Sequence, residues 1–121
     1  MRLSIIPDGP QPAYRQLYEE VFSQIASGEL APGTALPPIR AVARELGVSV
    51  ITVRSAWDAL ESDGLIVTKA GSGCFTADLD SAKLKELKAK ALSAQIRSLT
   101  DSAKKLTCTE EELIALIREE F

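Results

Sequence analysis

Three observations predict a mainly α-helical chain with one small β-hairpin. Apolar residues recur at helical spacing along most of its 121 residues. One stretch, Leu65 to Ala77, switches to period two around a glycine-bearing tip, AGSG. From residue 80 onward the composition shifts to Lys, Ala and Leu, which divides the chain into a region 1–79 and a tail 80–121.

The elements follow in order. In PAYRQLYEEVFSQIASG, the residues Tyr14, Leu17, Tyr18, Val21, Phe22 and Ile25 fall at helical spacing. Pro12 suits the first turn of this helix and Gly28 its end. ELAPGTALPP is a turn-rich connector. IRAVARELG aligns Ile39, Val42, Ala43 and Leu46 on one stripe, with Gly47 as the stop. GVSVITVRSAW is ambiguous by propensity, because Val48, Val50, Ile51, Thr52 and Val53 favour strands. Spacing decides for a helix. Val53, Trp57 and Leu60 fall at i, i+4 and i+7, whereas alternation would group Arg54, Ala56 and Asp58. Ser49 can cap this helix and Gly64 ends it. Leu65 to Lys69 and Cys74 to Ala77 then form the hairpin. Helix, helix, turn, helix, hairpin is the layout of a winged helix-turn-helix. So short a hairpin is stable only by packing on the helices.

The tail reads as two helices. Leu92, Ile96, Leu99, Ala103 and Leu106 repeat at 4-3-4-3 spacing, an apolar seam. Leu84, Leu87 and Ala91 precede it one step out of phase, so a continuous coiled coil is not expected. In CTEEELIALIREEF, Thr109 caps with Glu112 three residues on, and Cys108 can staple against Leu113. Leu113, Leu116, Ile117 and Phe121 make the last apolar face. Two helices cannot bury that much apolar surface alone, so a partner chain is expected to cover it. Leu92, Ile96, Leu99, Leu113, Ile117 and Phe121 are the candidate dimerisation residues.

Composition excludes several functions. There is no histidine, and Cys74 and Cys108 lie 34 positions apart in no ligand cluster. A zinc site and a histidine-dependent triad are therefore not expected, and neither is a metal or cofactor. Both thiols read as small apolar fillers in a reducing compartment. No run approaches the about 18 apolar residues of a membrane helix, and the start breaks at Pro7 before a signal-peptide region could form. The expected location is the cytoplasm, away from membranes. Paired catalytic carboxylates in a pocket context and a phosphate loop are both lacking; AGSG lies in a hairpin, not before a helix. An enzyme is not expected.

Net charge is −3, which argues against indiscriminate nucleic-acid binding. The distribution says more. Residues 1–79 hold 6 basic and 9 acidic groups, yet between Gly47 and Trp57 Arg54 is the only charge. Asp58, Glu61 and Asp63 all lie further along. In a helix-turn-helix the second helix presents its N-terminal residues to base edges in the major groove. Ser49 and Thr52 can donate to phosphate, and the helix start itself favours an anion. Val50 and Ile51 offer methyl surface to thymine methyls, and Arg54 can reach a guanine edge or a phosphate.

At these residues the chain resembles the GntR family of bacterial transcription regulators. The matching pieces are PAYRQLYEEVFSQIASGEL, APGTALPPIRAVARELGVS, TVRSAWDALESDGLI and GSGCF, over about residues 10–77. The tail is similar to that of the YtrA subfamily, whose two short helices dimerise and which lacks the large effector domain of other branches. The MocR-type regulators carry an aminotransferase-like domain, for which no room is expected here. The resemblance implies that Arg40, the arginine of LPPIR, holds DNA backbone. Pro38 stands where serine is common, which removes a capping hydroxyl. Val50 stands where the family often has a base-contacting arginine. Arg54 matches the arginine of TVR. Gly71, with Ser72 and Gly73, matches the wing tip that enters the minor groove, and Lys69 is the nearest cation. Arg44 completes the candidate DNA-binding set.

The function expected is a homodimeric, sequence-specific regulator, with two recognition helices about 34 Å apart on an inverted repeat. The resemblance implies a repressor of transporter operons. The alternative is a winged-helix module that docks protein and not DNA. A small-molecule effector has room only between the tail and the DNA-binding domain or across the dimer, and no residue pattern names its chemistry.

Overall fold

The structure, a computed structural model, describes residues 1–121. The helical periods become α1 (Ala13–Ala26), α2 (Ile39–Leu46), α3 (Val50–Ser62), α4 (Ser81–Lys105) and α5 (Glu110–Glu120). The period-two stretch becomes β1 (Ile66–Lys69) and β2 (Gly73–Thr76). The chain divides into two compact units, Met1–Asp80 and Ser81–Phe121.

In the first unit α1 starts directly after Pro12, where a missing N–H is no loss. Its inner stripe is Leu17, Tyr18, Val21 and Phe22. The stripe is narrower than expected, for Tyr14 is 45% exposed and Ile25 only half-buried. Two glutamines on α1 hold the N-terminal segment instead. The Ile6 N–H donates to Gln16 Oε1 at 2.6 Å, and Gln16 Nε2 donates to the Ile6 carbonyl at 3.0 Å. Buried Gln24 donates through Nε2 to the Arg2 carbonyl at 2.7 Å.

α2 buries Val42 and Ala43 and stops at Gly47, whose φ of +69° suits a residue without Cβ. The two residues after Leu46 return their N–H groups to the Ala43 carbonyl, from Val48 at 3.0 Å. α3 then packs against α1, α2 and β1. Val53, Ala56, Trp57 and Leu60 are all buried, so helical spacing prevailed over strand propensity. Burial repays β-branched residues that a helix tolerates at a cost of only some tenths of a kcal/mol each. Tyr18 Oη donates to Asp63 Oδ2 at 2.5 Å, tying α1 to the end of α3.

The hairpin pairs Ile66 with Thr76, Val67 with Phe75, Thr68 with Cys74 and Lys69 with Gly73. Both strands thus lie one residue from the expected bounds at one end or both, and Gly73 is a paired strand residue, not loop. Leu65 and Ile66 are essentially fully buried and plug the hairpin onto the helices. Packing on helices is not its only support. The connector adds an isolated bridge beside the two strands: Ala35 bridges Phe75, the Leu36 N–H donates to the Cys74 carbonyl, and the Thr76 N–H donates to the Thr34 carbonyl, both at 2.9 Å. Buried Thr76 completes the clasp. Its Oγ1 donates to the Ala31 carbonyl at 2.7 Å and accepts the Thr34 N–H at 2.9 Å.

In the second unit α4 runs unbroken for 25 residues, through the phase step between Leu87 and Leu92. Thr107 turns the chain at φ +55°, and the Cys108 N–H donates to the Ala103 carbonyl at 2.8 Å. α5 opens with the expected capping box. The Glu112 N–H donates to Thr109 Oγ1, and the Thr109 N–H donates to Glu112 Oε1, both at 3.1 Å. Only Leu87 and Ala103 of α4 are buried, and no residue of α5 is. Cys74 and Cys108 are free and half-buried. No helix is long and apolar enough to cross a membrane.

Candidate nucleic-acid interface

The outer face of α3 carries the sharpest chemistry. At about 100° per residue, the buried residues centre on one side and Ile51 and Ser55 fall opposite. Ile51 is 74% exposed, while Val50 and Thr52 beside it are half-buried. Arg54 is exposed but lies at the flank of the inner face, roughly 60° from Trp57, not diametrically across from it. Its long side chain makes up that angle from the edge of the face. Ser55 was not singled out from the sequence. Its signal was its place one turn beyond Ile51 on the same face, and it is exposed.

The start of α3 is organised by Ser49. The Thr52 N–H donates to Ser49 Oγ at 3.0 Å, and the two hydroxyls are 2.9 Å apart. One hydroxyl proton is used between them, so the pair retains one hydroxyl proton for an outside acceptor, not two. The N–H groups of Val50 and Ile51 precede the first capped position and face outward from the helix end. No acidic residue lies in this first turn.

α2 contributes the cations. Arg40 and Arg44 are one turn apart, both exposed, on the side away from Val42 and Ala43. Glu45 falls on the other flank, roughly 100° from Arg44. Arg40, Arg44 and Arg54 stand in no ion pair, unlike Arg15, which pairs with Glu19 at 3.2 Å. The α2 start is capped by Pro38 without a side-chain hydrogen bond, as proline in place of the common serine implied.

The hairpin tip is a tight turn. The Ser72 N–H donates to the Lys69 carbonyl at 2.9 Å, and Gly71 has φ +75°, as the third position of a type II turn requires. Gly71, Ser72 and Gly73 are exposed. Lys69 is not a free cation at the tip: its Nζ lies over the Phe75 ring, 5.0 Å from the centroid.

These features have a counterpart in known proteins. Residues 13–76 match the family described as bacterial regulatory proteins, gntR family. The chain belongs to the GntR family. The arginines of α2 and α3, the start of α3 and the hairpin tip all lie inside the matched region, and the two-helix tail lies outside it. Among relatives, the mannosyl-D-glycerate transport/metabolism system repressor MngR of Escherichia coli is 41% identical over 70 residues, 58% of this chain and 29% of its own. The chain thus spans less than a third of MngR. The HTH-type regulator YhcF of Bacillus subtilis is 29% identical over 108 residues, 89% of this chain and 88% of its own. Among solved structures, the GntR-family transcription factor YtrA from Sulfolobus acidocaldarius is 32% identical, with a TM-score of 0.60 over 75% of this chain and 97% of that one. The DNA-binding domain of AraR in complex with operator ORX1 is 33% identical, with a TM-score of 0.57 over 64% of this chain and 99% of that one. A GntR-type winged helix with a two-stranded wing is thus the fold of the first unit.

Proposed function

We propose that this GntR-family chain is a sequence-specific DNA-binding transcription regulator, acting by binding and not by catalysis. The observation that carries the reading is the uncovered face of α3: exposed Ile51, Arg54 and Ser55 beyond an acid-free first turn, with exposed Arg40 and Arg44 on α2. In this reading α3 enters the major groove, Arg54 reaches a base edge or phosphate, and Arg40 and Arg44 hold backbone. Ser49 and Thr52 offer their remaining hydroxyl proton and the helix start to a phosphate. Val50 lines the groove edge beside Ile51. Gly71, Ser72 and Gly73 follow the minor groove as a wing tip, with Lys69 supporting the tip through Phe75. The likeness to AraR bound to an operator supports this docking.

The working form is a homodimer on an inverted repeat, built through the 81–121 tail. The exposed Leu92, Ile96, Leu99, Ile117 and Phe121, with half-buried Leu113, support it. Repression is the mode, and transport genes are the targets; the name of MngR supports both. The site of action is the cytoplasm, where the DNA is.

Arg54→Ala tests the reading. Its operator affinity should fall by about 1–3 kcal/mol with the melting temperature unchanged, and the loss should concentrate at one base position. The wild-type affinity should fall steeply with salt. A flat salt response and no preference among duplexes would instead favour the protein-docking alternative.

A further inference from the structure

We infer that Ile51 is a specificity-determining residue that reads the 5-methyl group of a thymine in each half-site. The inference rests on the DNA-binding reading above and goes beyond it by naming the base feature recognised. Ile51 is the most exposed large apolar side chain on the helices of the first unit, at 74%, and nothing in that unit covers it. It has no hydrogen-bonding group, so it can touch neither phosphate nor a base edge by donation. The only apolar mark a base pair shows in the major groove is the thymine methyl, which cytosine lacks.

The surroundings decide between a methyl group and an apolar protein face. Its neighbours on the helix surface are the polar Ser49, Thr52, Arg54 and Ser55, and Val50, which is half-buried. The other large apolar residues of α3 are turned inward: Val53, Trp57 and Leu60 are buried. A docking protein needs a contiguous apolar patch of a few hundred Å², and one exposed branched side chain with a half-buried valine beside it, bordered by hydroxyls and a guanidinium, is not one. It matches one methyl group flanked by polar edges and phosphates. The depth also fits. Asp58 and Glu61 are exposed two turns further on and repel phosphates, so DNA meets the first turns of α3, where Ile51 is.

The test uses the full chain. A duplex is selected from a random-sequence pool, and each thymine is replaced in turn by deoxyuridine, which removes only the methyl group. At one thymine per half-site, replacement should weaken wild-type binding about fourfold, the worth of burying roughly one methyl-sized group, and replacement in both half-sites at once about sixteenfold. Ile51→Ala, which is changed in both protomers, should bind the thymine duplex at least as weakly as wild type binds the duplex replaced in both half-sites, and should not distinguish the two. Ser62→Ala, exposed at the far end of the same helix, should keep the wild-type thymine/deoxyuridine ratio. Three results would overturn the inference: every replacement neutral, Ile51→Ala retaining the full ratio, or Ile51→Ala changing the oligomeric state by sedimentation while binding DNA normally. Selection of no duplex at all would instead defeat the underlying DNA reading.

Discussion

The two units of this chain treat the same kind of residue in opposite ways. In Met1–Asp80 the periodic apolar residues close on one another: Leu17, Val21, Val53, Leu60, Leu65 and Ile66 are at or near zero exposure. In Ser81–Phe121 an equally regular pattern stays open. Leu92, Leu99 and Leu116 are about half exposed, Leu106 is 78% exposed and Phe121 fully so. Three helices and a hairpin offer each apolar face a neighbour, whereas a helical pair has more stripe than it can cover. A self-sufficient core makes a folding unit; an open stripe makes a surface that needs something else. Removing either should therefore fail differently.

The largest effect is expected from cutting after Asp80. The first unit should keep its fold, and the chain should become a monomer on sedimentation. Operator affinity should drop on the order of 10³-fold, toward non-specific binding, with about half the salt slope of the full chain. A full-length monomer at micromolar concentration would break the contrast between the units. So would a truncated chain that binds as tightly as the parent.

Within the closed core, Trp57→Ala should cost about 3–5 kcal/mol, since Trp57 is 3% exposed. That is a fall of well over ten degrees in melting temperature for so small a unit. Truncating Leu99 to alanine should hardly change the melting of the first unit, and the difference between the two variants sharpens the comparison.

A smaller effect belongs to the Tyr18–Asp63 bond between α1 and α3. Burial, and then the hydrogen bond to Asp63, push the Tyr18 hydroxyl well above the usual tyrosine range. In the unfolded chain this hydroxyl ionises near pH 10.0. The folded state keeps its proton above that, so the contribution is complete below pH 10 and is lost as pH rises further. Tyr18→Phe should cost about 1–2 kcal/mol at neutral pH and should flatten the alkaline decline in stability, both read by denaturant melts. An identical alkaline decline in the variant would place its cause elsewhere.

The smallest effect should come from the α5 cap. Thr109→Ala removes one half of the capping box, about 1 kcal/mol of local helix stability. The Thr109 backbone N–H, and then its side chain, hold the Glu112 carboxyl below the usual carboxylate range. A lowered folded value means the contribution is present at neutral pH and is lost as pH falls through that range. Helix content by far-ultraviolet circular dichroism should fall slightly on acidification in the wild type and less in Thr109→Ala. First-unit melting should not respond.

Sequence alone determined what depends on neighbours one turn away. The inner faces of α2 and α3, the stop at Gly47, the Ser49 cap, the Thr109–Glu112 box and the glycine tip were all legible, because helical period, capping and turn chemistry are local rules. Ile51 and Arg54 stand out by their place at the start of α3, and Arg40 only through the resemblance of LPPIR; these and Arg44 are exposed, which is as far as local rules carry them. Tertiary structure decided the rest. The bridge at Ala35, with the flanking bonds of residues 34 and 36, joins partners about 40 positions away, and nothing in ELAPGTALPP announces pairing at such a distance. The strap of residues 2–6 depends on Gln16 and Gln24, which read as ordinary polar positions until their amides meet a backbone. Lys69 looked like a free cation at the tip and lies over Phe75, because cross-strand neighbours are set by register and not by sequence distance. Ser55 became visible only when the helix phase was fixed by what it buries. Periodicity says which side chains share a face; only packing says which of those faces are covered, since burial is a property of the neighbours and not of the residue.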